Sequence, residues 1–331
     1  MQTGLIIGKF MPLTKGHVGL IDFGLKNCEK LIVAVCSMKS EPIPGELRYD
    51  WVKKYYGDDK RIEVVHITEE LPSSSESNRY ISMIWAEYLK GLYPEVNIIF
   101  ASEQYGEYLA EYMGIECRFF DVLRETIPIS ATRIRENPYK YWGFIPDVVK
   151  HYYIKKVCIF GPDSCGKSTL AMKLAKFYKT AFVPEIARNM FEWSDLLINN
   201  LNINHLEQFA KLQGEAVNSM TYFANKVLIC DTDNITTQVY SEVYCGYVTE
   251  EIKKYENIDY DLYLLLDIDT PYIEEGQRNL GHIRKEMFNK FKSELDKRNI
   301  KYVLIAGSWE ERFNKAVEAI NNMLYGKGNV R

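Results

Sequence analysis

Residues 161–168 read Gly161-Pro162-Asp163-Ser164-Cys165-Gly166-Lys167-Ser168, which meets the G-x-x-x-x-G-K-[ST] pattern at every fixed position. Glycines at both ends let the backbone curl, so the N–H groups of Asp163, Ser164 and Cys165 can face one centre. A helix opening at about Ser168, with Thr169 in its first turn, adds its positive end. A chain of phosphates, as in ATP, suits that cradle. Lys167 would reach the β- and γ-phosphates, and Ser168 would offer its hydroxyl to Mg²⁺. Further acidic groups stand at the ends of β-prone runs. Asp231 follows "KVLIC", with Asp233 beside it, and is a second candidate Mg²⁺ ligand; a strand-end aspartate that caps a turn is the alternative. Glu185, in "FVPEIAR" with Arg188, could accept the proton of a substrate hydroxyl or could merely start a helix. "EEGQRNLGHIRKEM" at 274–287 sets Arg278 and Arg284 among glycines. That composition suits a lid that closes on transferred charge, and equally a solvated basic loop.

A second constellation lies in the first half. A short apolar run ends at Gly8, and Thr14-Lys15-Gly16-His17 opens a helical stretch. A histidine at a helix start can donate a hydrogen bond to a phosphate as charge develops, although a lone loop histidine is often structural. Far along the chain, "ISATRIR" at 129–135 carries Ser130 as a helix-capping residue. Thr132 and Arg135 would then present a hydroxyl and a guanidinium beside free N–H groups. Both constellations follow strand patterns and both are suited to anions.

These residues need rigid elements to hold them. Apolar runs at 3–7, 31–36, 62–67 and 97–101 read as strands, separated by helical patterns such as 16–27 and 77–91. The rhythm restarts with strands at 155–160, 226–230, 262–266 and 301–305, and a last helix at 309–324. Strands alternating with helices imply βαβ units and parallel sheets. The expected fold class is therefore α/β in two domains, 1–150 and 151–331. The join falls after the proline- and aromatic-rich "ENPYKYWGFIP", and no Ser/Gly-rich linker marks it. A net charge of −4, without a basic block, argues against a bulk nucleic-acid binder. No run approaches about 18 apolar residues, so no membrane span is expected. The N-terminus reads as a strand and not as a secretory leader. Seven cysteines without CxxC pairs suit free thiols in a reducing cytoplasm, hence a cytoplasmic protein, compatible with a homo-oligomer.

The pair "GKFMPLTKGH" and "ISATRIR" resembles the (H/T)xGH and ISxTxxR signatures of the nucleotidyltransferase superfamily. More closely, the chain resembles the bifunctional NadR-type family, in which a nicotinamide-nucleotide adenylyltransferase is joined to a ribosylnicotinamide kinase. The matching stretches "GKFMPLTKGH", "SATRIRENPYKYWGFIP", "GPDSCGKS", "DTDNITTQ" and "EEGQRNLG" span both halves. The resemblance implies a Rossmann-like nucleotidyltransferase fold followed by a P-loop kinase fold. It implies ribosylnicotinamide, nicotinamide mononucleotide and ATP as substrates, NAD as product, and Mg²⁺ as cofactor. It carries ATP binding in the first half onto Gly8, Lys9, Phe10, Gly16, His17, Ser130, Thr132 and Arg135, with His17, Thr14 and Arg135 catalytic. In the second half it carries ATP binding onto Gly161, Asp163, Ser164, Cys165, Gly166, Lys167, Ser168, Thr169 and Arg278. Lys167, Glu185 and Asp231 are the catalytic candidates there. Trp85 would stack on the nicotinamide ring, or else belong to the core of its helix. Thr14 stands where the family commonly has histidine, which removes one imidazole. Some relatives carry a DNA-binding helix-turn-helix ahead of the first domain; this chain starts at the first strand, so no DNA partner is expected. An adenylyltransferase with a small-molecule kinase also serves coenzyme A salvage, which is one rival reading. A protein that senses ATP and NAD without turning them over is another.

Overall fold

The computed structural model describes residues 2–72, 77–256, 259–272 and 280–326. The chain divides into two compact units, Met1–Lys150 and His151–Arg331.

The first unit is built on five parallel strands: β1 (Thr3–Gly8), β2 (Lys30–Cys36), β3 (Ile62–Ile67), β4 (Ile98–Ala101) and β5 (Glu116–Phe119), in the order β3-β2-β1-β4-β5. Helices cover the sheet, so β2 is apolar and buried almost throughout and shows no alternation. The strand order reverses between β1 and β4. The connections that leave the carboxyl ends of those strands therefore run in opposite directions, which marks the usual ligand position in such sheets. The sequence reading overlooked β5, whose "ECRF" is short, partly charged and at the sheet edge. Its pairing with β4, and not its own apolar content, makes it a strand.

The second unit repeats the scheme with β6 (Lys155–Phe160), β7 (Phe182–Val183), β8 (Val227–Asp231), β9 (Leu262–Leu266) and β10 (Tyr302–Ile305). Their order is β10-β9-β6-β8-β7, all parallel. From β6 the chain moves outward to β7, returns to β8, then crosses β6 to reach β9. The loop after β6 thus opens at the reversal point. Both sheets agree with the α/β, mostly parallel expectation. Among the described residues, no helix is long and apolar enough to cross a membrane.

Candidate active sites

In the first unit the chain leaves β1 at Gly8, and Phe10 adopts a left-handed conformation (φ 46°). Thr14 is the N-cap of the helix Lys15–Asn27. Its Oγ1 accepts the His17 N–H at 3.2 Å, and its own N–H donates to His17 Nδ1 at 3.1 Å. This reciprocal cap satisfies two helix-end donors and fixes the imidazole. Because Nδ1 accepts an amide proton, a neutral ring carries its own proton on Nε2, which becomes the donor nitrogen. Burial, with the Arg124 guanidinium adding to it, lowers the His17 pKa to about 4 against an opposing hydrogen bond to the Pro12 backbone. His17 is therefore a neutral donor at physiological pH. The Phe10 ring meets the imidazole edge-on, with centroids 5.0 Å apart. Gly16, in the same first turn, lies against Ile129; a Cβ there would sit 3.7 Å from the Ile129 carbonyl.

The two separated motifs meet at this point. Ser130 caps the helix Ala131–Glu136, accepting the Arg133 N–H at 3.3 Å. Arg135 donates through Nη1 to the Met11 carbonyl and through Nη2 to Thr132 Oγ1, the latter at 3.0 Å. Lys9 is held by Glu41 at 2.9 Å. Glu41 also pairs with the fully buried Arg48 at 2.6 Å, and Arg48 donates to the Lys9 carbonyl at 2.8 Å. Burial opposes the charge on Glu41, but Lys9, the Met38 amide and Arg48 outweigh it and keep its pKa below the usual carboxylate value. Glu41 and Arg48 escaped the sequence reading because an acid and an arginine at their spacing look like ordinary surface residues. Trp85 lies on the helix Arg79–Leu92, half-buried against a core cluster that includes Leu5, Ala86 and Leu89. Its indole N–H donates to the Pro72 carbonyl at 2.9 Å. The structure thus gives Trp85 a packing role in the helix–sheet layer and pins its polar end to a loop.

In the second unit, Gly161 (φ 143°), Ser164 (φ 60°) and Gly166 (φ 91°) turn the loop after β6 through left-handed conformations. Gly166 caps the helix Lys167–Tyr178, which begins one residue earlier than expected. A Cβ at Gly166 would lie 2.6 Å from the Trp309 ring, so only glycine fits there on both backbone and packing grounds. Lys167 is almost wholly buried, and its Nζ donates to the Pro162 carbonyl at 2.9 Å. Burial works against its charge, but Glu185, Asp163 and Asp231 help hold its pKa above the ordinary lysine value.

The loop forms one wall of a cavity of about 460 Å³. Asp163, Ser164, Gly166, Lys167, Ser168, Thr169 and Glu185 all face it. Phe191, Phe209, Leu206, Tyr240 and Tyr244 form its apolar and aromatic side, and Trp309 also borders it. Glu185 precedes the helix Ile186–Trp193 but its carboxylate makes no cap bond. Burial raises its pKa to about 7; Asp231 and Asp163 push the same way, while Lys167 and Arg188 oppose. Ser168 Oγ accepts from Arg188 Nη1 at 3.2 Å. Asp231 ends β8 almost fully buried, close enough to act electrostatically on both Lys167 and Glu185. Asp233 is used differently. It caps the helix Asn234–Cys245 and accepts from the Tyr263 hydroxyl at 2.8 Å.

Cys165 turns inward, its thiol on the Pro162 carbonyl at 3.0 Å, so it contributes backbone and not side chain to the cradle. Arg284, read from sequence as part of a lid or of a solvated basic loop, donates to the carbonyls of Thr270 (2.7 Å) and Ser164 (3.1 Å). Arg278 lies outside the described residues. The sequence reading missed the aromatic side of the cavity, since Phe191, Phe209 and Tyr240 belong to three separate helices and only folding makes them neighbours.

A family model described as an AAA domain matches residues 156–312. Over 350 aligned residues the chain is 30% identical to the trifunctional NAD biosynthesis/regulator protein NadR of Escherichia coli, covering 97% of this chain and 83% of that protein. It is 22% identical over 145 residues to the nicotinamide-nucleotide adenylyltransferase of Thermococcus kodakarensis, covering 41% of this chain and 72% of that enzyme. A crystal structure of NadR protein in complex with NAD and AMP-PNP superposes with a TM-score of 0.80 at 23% identity, over 100% of this chain and 97% of the other.

Proposed function

The chain belongs to the NadR family of NAD biosynthesis/regulator proteins, and from that premise we propose a division of labour between its two units. The protein phosphorylates ribosylnicotinamide with ATP and joins the resulting mononucleotide to AMP from a second ATP, forming NAD and pyrophosphate. The second unit is assigned the phosphorylation and the first the adenylation. The observation that carries the assignment is the cavity of the second unit, where the phosphate-loop lysine and Glu185 face an aromatic chamber. Phosphate donor and flat, cationic acceptor find suitable surfaces in the same space.

In that cavity Lys167 and the loop N–H groups bind the phosphates of ATP. Glu185, poised near neutrality, takes the proton from the acceptor hydroxyl as its oxygen bonds to the γ-phosphorus and ADP departs. Ser168 faces the cavity, and Asp231, buried at the end of β8, acts electrostatically on Glu185; their hydroxyl and carboxylate are hard oxygen donors that would suit Mg²⁺ alongside substrate phosphates and water. When bound, that ion would neutralise charge on the β- and γ-phosphates. In the first unit, a phosphate oxygen of the mononucleotide attacks the α-phosphorus of ATP. His17 donates from Nε2, Arg135 supplies fixed positive charge to the leaving pyrophosphate, and Gly8, Lys9 and Phe10 form the loop beneath. Trp85, held by its packing in the helix–sheet layer and by the Pro72 carbonyl, is assigned to the acceptor side, where its ring would suit the cationic nicotinamide.

The test incubates the full chain with ribosylnicotinamide and Mg²⁺-ATP and follows ADP, pyrophosphate and NAD. Appearance of all three supports the reading. Binding of ATP and NAD without turnover would replace it with a sensor. Turnover only of phosphopantetheine-type acceptors would replace it with coenzyme A chemistry.

A further inference from the structure

Arg312 is among the most deeply buried charged side chains of the second unit, 1% exposed. It lies in the helix Trp309–Tyr325, outside every motif recognised in the sequence. Its guanidinium donates to three main-chain carbonyls: Nε to Gly307 at 3.0 Å, Nη1 to Cys165 at 2.9 Å and Nη2 to Asp267 at 3.0 Å. Asp269 forms the ion pair that balances the charge, and also accepts the Gly307 N–H at 2.6 Å. The three carbonyls belong to the loops that leave β6, β9 and β10, which are neighbours in the sheet. One rigid fork thus ties the carboxyl ends of three strands together, which the planar guanidinium can do and an ammonium cannot.

The carbonyl of Cys165 matters most. In a trans peptide the C=O of one residue and the N–H of the next point in opposite directions. Holding the Cys165 oxygen outward therefore aims the Gly166 N–H into the phosphate cradle. Gly166 is also the residue at which this peptide could turn over, since glycine accepts either orientation without a Cβ penalty. A flipped peptide would present a carbonyl oxygen to the phosphates. The neighbouring peptides are held alike. The Ser164 oxygen accepts from Arg284 at 3.1 Å and from Thr270 Oγ1 at 3.3 Å, which orients the Cys165 N–H. The Pro162 oxygen accepts from Cys165 Sγ at 3.0 Å, which orients the Asp163 N–H.

We propose that Arg312 is a positioning residue for ATP: by fixing the Cys165–Gly166 peptide it keeps the phosphate cradle in its anion-binding form before ATP arrives. Burying an arginine is costly unless its donors are paired, and here they are paired with three carbonyls and Asp269, the carbonyl of Cys165 being the one that lies in the phosphate loop. Because the cradle is preorganised, binding does not have to turn the peptide. This inference rests on the assignment of ATP-dependent phosphorylation to the second unit.

The experiment uses the full chain carrying Arg312→Lys, and separately Arg312→Ala. The expected result for Arg312→Lys is a KM for ATP raised at least tenfold in nucleoside phosphorylation, with the KM for ribosylnicotinamide unchanged and a cooperative melt retained. Millimolar guanidinium should restore ATP affinity to Arg312→Ala, and adenylation of supplied mononucleotide should stay at the wild-type level in both. If KM for ATP is unchanged and activity falls only in proportion to the folded fraction, Arg312 is a packing residue and the proposal is overturned. If Arg312→Ala does not fold, Arg312→Lys decides by the same criterion. If the wild-type chain forms no ADP with ribosylnicotinamide, the functional assignment fails by itself. The clamp is then read from the affinity of the non-hydrolysable analogue AMP-PNP for the site that Lys167→Ala abolishes, and equal affinity in wild type and Arg312→Lys would overturn it.

Discussion

Arg135 donates a hydrogen bond to the carbonyl of Met11, 124 positions away in the chain. That contact joins the loop after the first strand to the helix of the "ISATRIR" segment. Gly16, in the first turn of the helix that Thr14 caps, lies against Ile129 of the same segment. Two weak sequence signals, far apart in the chain, are thereby brought together in the fold.

Replacing Arg135 by alanine is expected to lower the rate of NAD formation from mononucleotide and ATP by about 100-fold or more, the usual scale for losing a preorganised group on developing charge. Lysine should recover only part of this, because it cannot bond Met11 and Thr132 together. Steady-state kinetics of NAD formation is the measurement. Equal activity in all three proteins would remove Arg135 from the site.

Lys167→Ala is expected to abolish phosphorylation of ribosylnicotinamide, since it removes the charge at the β- and γ-phosphates. Adenylation of supplied mononucleotide should persist within about twofold, because the two candidate phosphate loops leave separate sheets. Loss of both activities in a folded variant would contradict two independent sites.

Glu185 has a pKa raised to about 7 by burial, so as a base it gains competence as pH rises through neutrality. The phosphorylation rate should climb across that range and then level. Glu185→Gln should lower kcat by about 10²- to 10⁴-fold and flatten the profile. The linked effect on stability has the opposite sense. A carboxyl with a raised folded-state pKa stabilises below its ordinary value of 4.5 and loses that contribution as pH rises through 7. Thermal melts should therefore show Glu185→Gln gaining on wild type between those limits.

Thr14→Ala removes the helix cap and should destabilise the first unit by about 1 kcal/mol, whereas Thr14→Ser should be near neutral. His17, with its pKa lowered to about 4, should contribute no limb to the adenylation rate between about pH 6 and 8. Its depressed value means that the associated stability is complete above pH 6.5 and is lost as pH falls through about 4, when a protonated Nδ1 can no longer accept the Thr14 N–H. An NMR titration of His17 with a midpoint near 6.5 would refute this.

Unlike the edge strand β5, the central strands of the two parallel sheets were legible in the residues alone, because fully buried strands such as 31–36 read as unbroken apolar runs separated by helical periodicity. So was the phosphate loop, since its glycines and lysine act through local backbone geometry and their spacing is complete within eight residues. Thr14 and His17 were marked by their motif, but the reciprocal cap that joins them appeared in the structure. Which distant groups serve those loops became visible in the folded chain and nowhere earlier. Glu41 and Arg48 supporting Lys9, Arg312 holding the Cys165 carbonyl, and the aromatic side formed by Phe191, Phe209 and Tyr240 carry no local pattern. Their roles arise when strand order brings loop ends together, and a side chain's partners across a sheet are set by that order and by burial, not by its neighbours in the chain.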